Sequence, residues 1–137
     1  MFIKFIAAVF AVLISSVLSL AAHAAVLPFE QAAFDKAVAA GEPVIVQFHA
    51  DGCPACKTQT PLVSQALGTA KLKDVKLFVA DFDKEKALKK ALKVSSQSTF
   101  VVFKAGKEVT RSTGQTSLEA WAVQASPAWL TQLTTRY

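Results

Sequence analysis

The chain reads as an α/β domain, and three observations predict it. Apolar runs rich in β-branched residues alternate with segments of helical spacing. A hairpin signal closes the series of strands. A Cys-x-x-Cys pair stands between the first strong strand and the helix that follows. Strands alternating with helices predict parallel pairing, and a closing hairpin adds an antiparallel strand.

Phe29 to Ala40 places apolar residues at 29, 32, 33, 34, 37 and 38. That spacing makes one helical face, and Gly41 ends it. Pro43 opens Val44-Ile45-Val46-Gln47-Phe48, a short buried strand. Ala50-Asp51-Gly52 is a turn signal, and Cys53-Pro54-Ala55-Cys56 follows at once. From Cys56 to about Leu72 the pattern is helical, with Leu62, Val63, Ala66 and Leu67 on one side and Pro61 as a kink. Val75 to Phe82 is the second strand, and Lys84 to Leu92 a short basic helix. Thr99 to Phe103 is the third strand, Lys104-Ala105-Gly106-Lys107 a hairpin turn, and Glu108 to Arg111 the returning strand. Leu118 to Leu133 is a last helical region, with Trp121 and Trp129 on a shared face and Ser126-Pro127 interrupting it.

The length of 137 residues suits one domain. With 53% hydrophobic and 18% charged residues, the chain can bury a core, which excludes a disordered polypeptide. Residues 1–24 read as a cleaved secretory signal peptide, leaving 25–137 as the domain. Lys4 supplies the early charge, Phe5 to Leu20 is apolar but for three serines, and Ala22-His23-Ala24 is a small-x-small cleavage pattern. The apolar run is shorter than the ~20 residues that span a bilayer comfortably, which disfavours an uncleaved anchor. The expected location is therefore periplasmic or secreted, and His49 is then the one histidine left. The formal charge is +5. Its local cluster, Lys84 to Lys93, reads as a solvated helix face, and no nucleic-acid motif accompanies it.

Export leads to an oxidising compartment, yet the chain has only two cysteines, three positions apart. Crosslinks stabilise most when they close long loops, and this one closes almost none. The pair therefore points to chemistry. At a helix N-terminus, unpaired N–H groups and the helix dipole favour negative charge, so a thiol there ionises more easily than its free pKa of about 8.5 allows. The thiolate attacks disulfides. Cys53, on the open loop side, is the expected nucleophile. Cys56, a turn into the helix and more shielded, is the expected resolving thiol. An inert structural disulfide and a metal site compete with this reading. Zinc wants four ligands, the pair supplies two, and His49 could add a third.

The segment Phe48-His49-Ala50-Asp51-Gly52-Cys53-Pro54-Ala55-Cys56-Lys57 resembles the active-site segment of the thioredoxin family. Pro61, Val79-Ala80-Asp81-Phe82-Asp83 and Thr99 to Lys107 are similar to that family's helix proline, central strand and following hairpin. The likeness spans Phe29 to Trp129. It implies a thioredoxin-like fold, a central mixed β-sheet flanked by helices. It also implies thiol–disulfide exchange with protein thiols and disulfides, and no cofactor or metal. A monomer is expected, with a membrane electron donor or acceptor as a further partner.

Three departures from the family pattern mark the site. Ser98 stands where the family carries a cis-proline, in Ser95-Ser96-Gln97-Ser98-Thr99. A cis bond without proline costs about 3 kcal/mol, so Gln97–Ser98 is expected to be trans. In the family that loop helps to hold the partner and shields the cysteines. Gln47 stands where many members bury an aspartate, and an amide cannot act as a general base. His49 and Gly52 stand where tryptophans are frequent. Gly52 is expected to leave Cys53 less covered. His49, if near the sulfurs, would stabilise a thiolate when charged, and would do nothing if it faced solvent. Lys57 either favours the thiolate or is a surface lysine. Pro54 and Ala55 complete the motif. Proline directly after the first cysteine resembles oxidising and glutaredoxin-like members, which leaves the direction of exchange open. Two alternatives remain beside the exchange enzyme. One is a partner-binding module without turnover, the other a metal or iron–sulfur site shared across a dimer.

Overall fold

The computed structural model describes residues 24–69 and 72–117. The signal-peptide reading and the last helical region, with Trp121 and Trp129, lie outside the described residues. Eight elements follow in order: β1 (Ala25–Pro28), α1 (Gln31–Ala39), β2 (Val44–His49), α2 (Pro54–Leu67), β3 (Lys76–Asp81), α3 (Lys86–Leu92), β4 (Thr99–Lys104) and β5 (Lys107–Thr113). The five strands form one sheet in the order β1-β3-β2-β4-β5. β3 pairs in parallel with β1 and with β2, while β2 with β4 and β4 with β5 are antiparallel. This is the mixed sheet flanked by helices that the sequence predicts.

Strand alternation sorts the core into two layers. Val44, Val46 and Phe48 of β2 face α1 and α3, where they meet Phe34, Ala37, Phe78, Ala80, Leu88, Val101 and Phe103. Phe34 sits edge-on to Phe78 and Phe103, with ring centroids 6.0 and 5.4 Å apart, the tilt that aromatic quadrupoles favour. Ile45 of β2 faces the other way, onto Val63, Ala66 and Leu67 of α2, with Leu72, Val75, Leu77 and Phe100. Gln47 lies on this second face, between Ile45 and His49, and is buried.

β1 is a strand the sequence pattern did not predict. It is four residues long at a sheet edge, and its register is fixed by β3, with Ala25 opposite Lys76 and Pro28 opposite Val79. So short a segment carries too little periodicity to announce itself. α2 begins two residues before the expected start, because Cys53 caps it and Pro54 occupies its first turn, where a missing N–H costs nothing. It ends at Leu67, not near Leu72; Gly68 caps it, and Leu72 instead lies in a separate turn bonded to Thr69. Pro61 lies within α2, as expected. The hairpin turn is Ala105-Gly106 with φ of 50° and 78°, the left-handed pair that matches the twist of flanking strands. Arg111 of β5 reaches back to the end of α3. Its guanidinium donates to the carbonyls of Leu92 (2.9 Å) and Lys93 (3.3 Å) and pairs with Glu108.

Candidate active site

β2 delivers the chain to the cysteines. After His49, Ala50-Asp51-Gly52 turns sharply, with the Cys53 N–H donating to the Ala50 carbonyl at 3.1 Å. Cys53 is extended (φ −87°, ψ 112°) and is the N-cap of α2. Its sulfur accepts the Cys56 backbone N–H at 3.1 Å, and its carbonyl accepts the Lys57 N–H at 3.2 Å. Cysteine thus does here what serine or aspartate does at other helix starts. Cys53 and Cys56 form a disulfide, their Cα atoms 5.3 Å apart. The helical turn between them brings the two sulfurs together, and the orphan N–H groups of the first turn point at the place where a thiolate would form.

Cys53 is more covered than the sequence suggests. It is 4% exposed against 0% for Cys56, so both sulfurs lie in a small buried cluster with Ala50, flanked by Ala55 and Phe82. The reason is local: the Cys53 sulfur is turned inward, toward the helix N-terminus and Cys56. The opening lies beside it, at Gly52, where an added Cβ would meet nothing within 4 Å. Pro54 and Lys57 are exposed and Ala55 half-buried.

Behind Cys56 lies a polar cluster whose hub the sequence reading missed. Gln59 of α2 is 1% exposed and sits three positions past Cys56, on the same helix face. Its amide nitrogen donates to the carbonyls of Gln115 (2.9 Å) and Ser98 (3.3 Å), and its amide oxygen accepts from Gln47 at 3.5 Å. The signal was available: Cys56, Gln59, Val63 and Ala66 form one buried stripe, and a glutamine in an apolar stripe requires partners.

Ser98 is trans to Gln97, as expected, since the described residues contain no cis peptide bond. It adopts φ 61°, a left-handed conformation uncommon for serine. Its N–H donates to the Phe48 carbonyl at 2.8 Å, a bond no proline could make, and its carbonyl accepts from Gly114 at 3.0 Å as well as from Gln59. Ser98 is buried, and its Oγ has no hydrogen-bond partner among the described residues. Gln97, beside it, is exposed.

His49 turns toward Asp51, with Nε2 3.7 Å from the carboxylate. The two residues line a cavity of about 220 Å³ with Ala50, Gly52, Val79, Asp81 and Asp83. Asp81 closes its own turn by accepting the N–H groups of Asp83 and Lys84. The Lys84 side chain, hydrogen-bonded to Asp81, holds that carboxyl below the usual carboxylate range, and Lys84 is raised in return. Among the described residues, no three of His, Cys, Asp and Glu gather closely enough to hold a metal ion.

Comparison with known proteins agrees with this geometry. The thioredoxin family model matches residues 25–125. The chain is 35% identical over 81 residues to a thioredoxin H-type of Fagopyrum esculentum, covering 59% of this chain and 68% of that protein. It is 39% identical over 71 residues to a thioredoxin of Chlamydia trachomatis, covering 52% and 68%. Among solved structures it is similar to Trxlp from Edwardsiella tarda, with 37% identity, a TM-score of 0.73, and coverage of 74% of this chain and 99% of that one.

Proposed function

Because the chain belongs to the thioredoxin family and is a thiol–disulfide oxidoreductase, we propose that it exchanges its Cys53–Cys56 dithiol and disulfide with protein partners in the periplasm or outside the cell. In this reading Cys53 is the attacking thiol. Its thiolate opens the partner's disulfide, forming a mixed disulfide and releasing one partner thiol. Cys56 then attacks the Cys53 sulfur, closes the ring and releases the second thiol. Two electrons pass from the protein dithiol to the partner, and the reverse sequence oxidises a partner dithiol.

One observation carries the reading: the Cys53 sulfur caps α2 and accepts the Cys56 N–H at 3.1 Å. That bond stabilises negative charge on the sulfur that leaves or attacks, and strengthens as charge develops. Export is supported by the apolar run and the Ala22-His23-Ala24 pattern. The test is catalysed insulin reduction by dithiothreitol. The wild-type domain accelerates it, and both Cys53→Ser and Cys56→Ser lose turnover. Retained turnover in Cys53→Ser would overturn the reading. N-terminal sequencing of protein recovered outside the cytoplasm tests export, with Ala25 as the expected first residue.

A further inference from the structure

We propose that Gln59 is a positioning residue for partner docking: it holds the Ser98 loop in the shape against which a partner polypeptide lies during exchange. The inference rests on the exchange reading and names the part of the site that sets how well a protein substrate is held.

The Ser98 loop and the cysteines share one end of the sheet. Phe48, near the end of β2, accepts the Ser98 N–H, and a few residues on the same chain reaches Cys53. In our reading a polypeptide approaching Cys53 lies against the exposed Ser95-Ser96-Gln97 stretch, which leads into Ser98 at this end of the sheet. Serine does not favour φ 61°, so neighbouring bonds must impose it. Two come from backbone, Ser98 to Phe48 and Gly114 to Ser98. The third is the Gln59 amide, which ties the loop to the helix carrying Cys56. The same amide nitrogen donates to the Gln115 carbonyl, and the amide oxygen accepts a longer bond from Gln47. Nitrogen and oxygen are therefore both engaged, which orients the amide. The hydrogen bonds of Gln59 go to Gln47, Ser98 and Gln115 and none to a cysteine sulfur, so its effect is on the shape of the loop. An isosteric apolar side chain would fill the space and release the loop.

The experiment uses Gln59→Met in the insulin assay. The expected result is a KM for insulin raised roughly threefold to tenfold, the size of one or two lost hydrogen bonds, with kcat within about twofold. The iodoacetamide alkylation rate of reduced Cys53 stays at the wild-type value. Adding Ser98→Gly brings KM back toward wild type, because glycine takes the left-handed conformation without help. Should Gln59→Met fail to fold, Gln59→Asn keeps a neutral amide on a stem too short to reach the Ser98 carbonyl, and the same rise in KM is expected. A lowered thermal midpoint with unchanged KM would mean that Gln59 only fills the core, and would overturn the inference. So would a changed alkylation rate with unchanged KM. A wild-type chain that fails to reduce insulin while its alkylation is normal defeats the exchange reading itself, and this inference with it.

Discussion

The sulfur of Cys53 accepts the backbone N–H of Cys56 at 3.1 Å, so the first cysteine of the pair is also the cap of the helix that carries the second. The arrangement makes the two thiols unequal. One faces the orphan N–H groups of α2, while the other is fully buried within the helix, whose own N–H is used as the donor. In the reduced single-cysteine variants, Cys53 in the Cys56→Ser chain should alkylate at least roughly tenfold faster near neutral pH than Cys56 in the Cys53→Ser chain. The rates follow from iodoacetamide labelling read by mass. Equal rates would show that the cap does not distinguish the thiols.

Trapping separates an exchanger from a binding module. With Cys56 replaced by serine, the mixed disulfide between Cys53 and a partner has no internal thiol to resolve it. Non-reducing electrophoresis of the Cys56→Ser chain incubated with insulin should show a band that dithiothreitol removes, and the wild type should show little of it. A wild type that accumulates the same adduct would favour capture without turnover.

Restoring the family's proline should harm this chain. Proline needs φ near −65° and has no N–H, whereas Ser98 sits at φ 61° and donates to Phe48 at 2.8 Å. Ser98→Pro is expected to cost at least about 2 kcal/mol, from the incompatible backbone and the lost bond together. Urea unfolding of the oxidised protein measures it. An unchanged midpoint would mean that the loop rearranges freely.

Asp81 contributes to pH dependence. Its folded carboxyl is depressed, chiefly by the hydrogen bond from Lys84. A depressed carboxylate adds stability above its unfolded value and loses it as pH falls through the folded one. The pair is exposed, so the effect is small. Asp81→Asn should be less stable than wild type at pH 6 to 7, and the gap should close as the pH falls below the ordinary carboxylate range. Urea midpoints of both chains across that range give the comparison. A gap that widens in acid would contradict the sign.

Most of the frame was legible because it is written in local patterns. Val44 to Phe48 and Thr99 to Phe103 are β-branched and apolar runs, and the observed strands differ from them by one residue. The cysteine pair and its place before a helix were legible for the same reason. Pro54 could have set the start of α2, since a proline in the first turn is a helix-start signal, but the apolar stripe beginning at Cys56 drew the boundary later. β1 escaped because its four residues acquire their meaning only from β3, some fifty positions away. Gln59 escaped for a similar reason. Its partners Gln47, Ser98 and Gln115 come from three other parts of the chain, and only the folded sheet brings them to one amide. The cover over Cys53 likewise depends on Phe82, from beyond β3.

The most direct test of the central claim is the redox equilibrium of the purified domain against mixtures of reduced and oxidised glutathione, with thiols trapped by alkylation. The account predicts one reversible two-electron transition in which Cys53 and Cys56 gain and lose their labels together. A midpoint near about −270 mV marks a reductant, and one near about −120 mV marks a disulfide donor. A labelling pattern that does not change across the whole range of glutathione ratios would contradict the claim that this pair exchanges at all.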